Sequence, residues 1–151
     1  MNEAPVIVGL GAQTPVGLNL PANVAVVRAG LNCFHLSDYL LGYKEGEPLK
    51  VSQLATLPKD MGPFERMKSM ALAAAREALE PWLQCFPQDQ TEELAVLLAF
   101  PSERPGILSE GGKRLIHEII ADLPISPDKP RCGLAVTGHE GGLAEIGRAH
   151  V

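Results

Sequence analysis

The sequence predicts an α/β fold whose strands run at least partly parallel. Three strand-like runs, Pro5–Gly9, Leu94–Phe100 and Cys132–Thr137, alternate with helical patterns at Pro21–Ala29, Pro63–Trp82 and Glu110–Leu123. Such alternation is what parallel strands joined by crossover helices leave in a sequence. The chain also opens on a β-branched run, Val6-Ile7-Val8, that passes directly into a turn carrying Gly9, Gly11, Pro15 and Gly17. The composition agrees with a globular class able to bury a core: 151 residues, 46% hydrophobic, 21% charged, net charge −5.

Each element has a local reason to form. Pro15 and the glycines suit a tight bend in which backbone comes close to backbone. Asn19 can then cap a helix that has Pro21 in its first turn. The segment Leu36–Pro63, with Gly42, Gly46, Pro48, Pro58 and Gly62, predicts irregular structure with one short strand at Pro48–Ser52. In the long helix, Met67, Met70, Ala71, Ala74, Ala75, Ala78 and Leu79 recur at spacings of three and four. They predict an apolar core stripe whose small residues let the helix sit close to its neighbours. The Pro-rich stretch Leu123–Pro130 predicts a surface loop between the last helix and the last strand.

Composition also narrows the partners. A net charge of −5 without a basic cluster offers no electrostatic footprint for nucleic acid or for an anionic membrane surface. No apolar stretch approaches the roughly 18 residues of a membrane span. The start Met1-Asn2-Glu3-Ala4-Pro5 has no signal-peptide character, so a cytoplasmic location is expected. Cys33, Cys85 and Cys132 are odd in number and widely spaced, which indicates reduced thiols rather than a disulfide framework or a zinc site. No metal and no cofactor are expected.

Several familiar motifs fail on inspection. A dinucleotide fingerprint needs a glycine where Thr14 stands and an acidic residue near Ala25–Gly30. Gly111-Gly112-Lys113-Arg114 lacks the first glycine, at Ile107, and the hydroxyl residue, at Arg114, of a phosphate-binding P-loop. His117-Glu118 needs a histidine at Ala121 to form a metalloprotease helix, and Pro130-Arg131-Cys132 lacks the second cysteine of a zinc deaminase.

The opening string Val6–Gly17, with Thr14-Pro15 and Gly17 in register, resembles the N-terminal start of the β-ketoacyl synthases (3-oxoacyl-ACP synthases), condensing enzymes of the thiolase-like superfamily. Arg28-Ala29-Gly30-Leu31 is similar to the end of that family's first helix, and Glu65–Leu79 to its Ala-rich second helix. The similarity runs from about Pro5 to Ala144 and is loose between Cys33 and Pro63. It implies the N-terminal part of a thiolase-like layered fold, a mixed sheet with helices on its faces, truncated. It further implies acyl transfer and condensation on thioesters of acyl carrier protein or coenzyme A in fatty-acid or polyketide-type metabolism. A homodimer or heterodimer of the full-length protein is also implied.

The segment Gly133–Ala144 is a buried strand leading into a glycine-lined turn and the start of a helix, the place where this family carries its nucleophilic cysteine. There a helix N-terminus stabilises a thiolate. In this sequence the matching position is His139, or Glu140 if the alignment shifts by one, and Cys132 lies upstream on the strand. Three readings stay open. His139, held neutral by the helix dipole, acts as a base or hydrogen-bond donor. Alternatively, Gly138, Gly141 and Gly142 merely allow close packing while His139 and Glu140 bond local backbone. In the third, a working site draws its other members from outside the chain. The corresponding alternative for the protein is a non-catalytic scaffold or dimer partner that lacks the nucleophile.

The last residues, Glu145–Val151, read like the translation of a sequencing adapter. Residues 1–144 are therefore expected to be a partial ketoacyl-synthase-like domain and 145–151 a non-native tail. The fragment alone is expected to be inactive and to expose core.

Overall fold

The computed structural model describes residues 7–41, 48–85, 95–99, 109–125 and 131–135. These form a small mixed α/β domain in the order α1 (Leu20–Arg28), β1 (His35–Leu41), β2 (Pro48–Val51), α2 (Pro63–Cys85), β3 (Ala95–Ala99), α3 (Ser109–Asp122) and β4 (Arg131–Ala135). Two two-stranded sheets result. β1 and β2 pair antiparallel, with His35 opposite Val51, Leu36 opposite Lys50 and, past a register shift, Leu41 opposite Pro48. β3 and β4 pair parallel without a shift, from Ala95 opposite Arg131 to Ala99 opposite Ala135. A parallel pair needs a crossover connection, and α3 lies in the chain between the two strands.

The core is an α/β contact built on α3. Leu115, Ile116, Ile119 and Ile120 recur at helical spacing and are buried, and Leu123 and Ile125 extend the cluster past the helix end. Phe64, Met67, Ala71, Leu72, Ala75 and Leu79 of α2 pack against it, as do Val96 and Leu98 from one face of β3. Leu97, on the opposite face of β3, is exposed. Polar groups tie α2 to α3 along the rim. The Lys68 ammonium lies 2.9 Å from both the Glu118 and Asp122 carboxylates, Arg114 pairs with Glu118, and Arg76 donates to the Asp122 carbonyl. Arg114 also stacks 4.3 Å above the centre of the Phe64 ring.

Two expectations change. The residues of Pro5–Gly9 that are described, Ile7, Val8 and Gly9, belong to no strand. Ile7 and Val8 point outward, and the chain is drawn onto the backbone of α2 instead. The irregular stretch after Leu36 holds a full strand, β1, in addition to the expected β2, because pairing across the connection supplies hydrogen bonds that local alternation does not reveal.

The helix stripe is half-buried rather than fully buried. No residue of α2 is completely enclosed, since Ala74 and Ala78 meet the glycine turn while Met67, Ala71, Ala75 and Leu79 meet the core. The part of the Leu123–Pro130 connection from Ser126 onward lies outside the described residues.

Candidate functional site

The glycine turn that enters α1 is fixed by its own backbone and by two side chains from elsewhere. Thr14 and Gly17 exchange backbone hydrogen bonds at 2.9 and 3.1 Å, closing a turn with Pro15 at its first corner. The Thr14 hydroxyl accepts from the Val16 N–H and donates to Asn23 Oδ1. Asn23 is buried, and its amide nitrogen donates to the carbonyls of Ala12 (3.1 Å), Gly17 (2.9 Å) and Asn19 (2.7 Å). A Cβ at Gly17 would fall 2.6 Å from the Asn23 backbone nitrogen, so α1 reaches this close only because residue 17 is glycine.

Glu77 supplies the second clamp. Its carboxylate accepts from the Ala12 N–H at 3.0 Å and from the Leu20 N–H at 2.8 and 3.1 Å. The negative charge thus sits at the N-terminus of α1, where the helix dipole favours it. Asn19 caps the same helix by accepting from the Ala22 N–H at 2.9 Å, as its position in the sequence predicts.

Gly9 and Gly11 explain how the turn approaches α2. A Cβ on either would overlap a carbonyl oxygen, Ala78 for Gly9 and Ala74 for Gly11. Two extended residues span about 6.6 Å and four helical residues about 6 Å. A Gly-x-Gly segment therefore keeps step with an Ala-x-x-x-Ala row.

Where this turn meets the sheet, an open apolar cavity of about 410 Å³ forms. Gln13 and Thr14 border it from the turn, Met67, Met70 and Ala74 from α2, and Leu98 and Ala99 from the end of β3. Because β4 runs parallel to β3 and ends at Ala135 opposite Ala99, both strands deliver their carboxyl ends to this side. That is where open parallel sheets place ligands. Among the described residues no acidic or basic side chain lines the cavity. Gln13 Oε1 is buried with no hydrogen-bond partner. Such a cavity can hold an apolar chain; it carries no proton-transfer group of its own among the described residues.

The sequence candidates His139 and Glu140, with Gly138, Gly141 and Gly142, lie outside the described residues. Cys132 is in β4 opposite Val96. His117 and Glu118 serve α3 and its contact with α2: the imidazole Nδ1 lies 2.7 Å from the Lys113 carbonyl, and the carboxylate is held by Lys68 and Arg114. Those partners keep the Glu118 carboxyl below its ordinary range, through the hydrogen bond from Lys68 first and that from Arg114 second. Lys68 is correspondingly raised, chiefly by its bond to Asp122 and then by that to Glu118. Gly111 and Gly112 lie inside α3, not in a phosphate-binding loop. No group of three potential metal ligands occurs among the described residues, and no helix there is long and apolar enough to cross a membrane.

Sequence reasoning missed Asn23 and Glu77. The available signal was a lone asparagine within the apolar run Leu20–Val27 of α1 and a lone acid within the Ala-rich row of α2. Comparison of the chain with protein-family models, curated proteins and solved structures gave no match.

Proposed function

We propose that the chain is part of a β-ketoacyl-synthase-like protein of thiolase-like layered architecture, handling acyl thioesters of acyl carrier protein or coenzyme A in the cytoplasm and working as a dimer. The observation that carries this reading is the apolar cavity at the carboxyl ends of β3 and β4, bordered by the glycine turn. An acyl chain matches such a wall, since about 0.8 kcal/mol accrues per buried methylene. The motif string Thr14-Pro15 to Gly17, the Arg28–Leu31 helix end and the Ala-rich Glu65–Leu79 row support the same family.

The second reading is a non-catalytic scaffold or dimer partner of the same family. It is favoured by Gly138-His139-Glu140-Gly141, which puts no thiol where the family carries its nucleophile. In the enzyme, His139, or Glu140 in the shifted alignment, takes a catalytic position; in the scaffold neither does.

The first reading requires binding of an acyl thioester and a covalent product; the scaffold requires no covalent product. The test is titration of the chain with a long-chain acyl-CoA, followed by intact mass measurement. Saturable binding that weakens about tenfold or more in Ala99→Phe, which fills the cavity mouth, is expected, as for the loss of roughly two buried methylenes. An added acyl mass identifies the enzyme, and because the fragment alone is expected to be inactive, binding without an adduct identifies the scaffold only when the full-length protein also forms none. Absence of binding, or binding indifferent to Ala99→Phe, contradicts the first reading.

A further inference from the structure

On the other side of the glycine turn the molecule has a hollow of opposite character. Cys33 and His35, at the start of β1, face Gln53–Ala55 and Leu57 after β2, and Lys59 and Arg66 close the hollow near the beginning of α2. Its volume is about 370 Å³, within the range of small-ligand pockets. An adjoining hollow of about 320 Å³ shares Pro15, Gln53, Leu54, Leu57, Lys59 and Arg66 with it. Among the described residues no acidic side chain lines either one, in a chain whose net charge is −5. Asp60 and Glu65 are the sequence neighbours of Lys59 and Arg66, and neither borders the hollow.

Lys68 and Arg114 are paired with Glu118 and Asp122, whereas the Lys59 ammonium, like those of Lys50 and Lys113, has no carboxylate partner among the described residues; what sets Lys59 apart is that it shares a hollow with Arg66 and the His35 imidazole. Arg66 is already fixed in place. Its Nε donates to the Met61 carbonyl at 2.9 Å, and Nη2 donates to the carbonyls of Pro58 and Lys59. Those bonds immobilise the guanidinium and the loop carrying Lys59, so little side-chain entropy remains to be lost when a ligand meets Nη1. The Lys59 ammonium and the Arg66 guanidinium line one hollow with no carboxylate beside them among the described residues, and an anion placed between two like charges offsets their repulsion.

We propose that this basic hollow binds the phosphoryl group of a small phosphorylated molecule, with Lys59, Arg66 and His35 around the phosphate and Leu54, Leu57 and Pro15 against its organic part. A phosphate monoester carries close to two negative charges and three terminal oxygens, matching donors that arrive from three separate chain segments. A carboxylate, with one charge and two oxygens, satisfies fewer of them. The proposal is independent of the acyl-transfer reading, because the two cavities lie on different sides of the turn and share no polar side chain.

Cys33, exposed in the same hollow, is the reporter, and the exposed Cys85 at the end of α2 is its internal reference. The full chain is alkylated in parallel with anionic iodoacetate and neutral iodoacetamide at constant ionic strength, and each cysteine is followed by peptide mass. The iodoacetate-to-iodoacetamide rate ratio at Cys33 is expected to exceed that at Cys85 by about fivefold or more, the effect of roughly one opposite charge at contact distance in water. Pyrophosphate should protect Cys33 and leave Cys85 unaffected, and Lys59→Gln should remove both the excess ratio and the protection. Lys59 makes no side-chain bond among the described residues, so that variant leaves the loop intact. Equal ratios at the two cysteines, no protection by pyrophosphate, or an unchanged Lys59→Gln variant each overturns the proposal. Equal protection by malonate overturns the assignment to phosphate.

Discussion

Helices α1 and α3 both carry apolar residues at helical spacing, far more sharply segregated to one face in α3, and they have opposite fates. In α3 the stripe Leu115, Ile116, Ile119 and Ile120 is buried against α2 and β3. In α1 the corresponding positions Val24 and Val27 are 43% and 69% exposed, and the one buried residue is Asn23. An apolar stripe becomes core only where a second layer faces it. The α2–α3–β3 region is held by burial, as most domains are, whereas the glycine turn and α1 are held by the amide of Asn23 and the carboxylate of Glu77. The two candidate sites lie at the boundary between these regimes, on either side of the turn.

The contrast is sharpened first by its largest expected effect. Leu115→Ala, at the centre of the buried cluster, should cost about 2–5 kcal/mol in chemical denaturation and melt α2, α3 and β3 together. A cost below about 1 kcal/mol would place the stabilising core elsewhere.

The rim pairs should matter far less and only above acid pH. The depressed Glu118 carboxyl adds stability that is present above its ordinary value of 4.5 and is lost as pH falls through the lower folded-state value. Lys68, whose value is raised above 10.5, keeps its contribution until pH rises beyond that point. The stability difference between the wild type and Glu118→Gln should therefore be small at neutral pH and vanish once the pH has fallen below the lowered folded-state value of Glu118. A difference that persists undiminished in acid would mean that Glu118 acts through packing.

Much of this fold is legible in the sequence, and the missing part has a common cause. The Asn19 cap, the long Ala-rich helix and the α3 stripe each follow from residues within a few positions of one another, and the alternation of strand-like and helical runs anticipates parallel strands, as β3 and β4 are. β1 escaped because Ser37 and Asp38 interrupt its apolar run, and only pairing with β2 makes it a strand. Ile7–Gly9 was misread because β-branched residues suggest a strand wherever they stand, while Gly9 and Gly11 answer to Ala78 and Ala74 far along the chain. The same distance hides Glu77 from any local pattern, since its partners Ala12 and Leu20 are 65 and 57 residues away. Of the site, the glycine turn was legible as a close backbone approach. The apolar cavity and the basic hollow were not, because their walls come from segments that only the fold brings together.

The central claim is that side-chain clamps, rather than apolar burial, fix the glycine turn. The most direct measurement is backbone amide hydrogen exchange at Ala12 and Leu20 in the wild type and in Glu77→Ala, with the α3 amides as reference. Removing an acceptor that serves two N–H groups should cost about 1–3 kcal/mol locally. Exchange at Ala12 and Leu20 should then accelerate by about fivefold or more while α3 is unchanged. Equal acceleration at all these sites, or none at Ala12 and Leu20, would contradict the account.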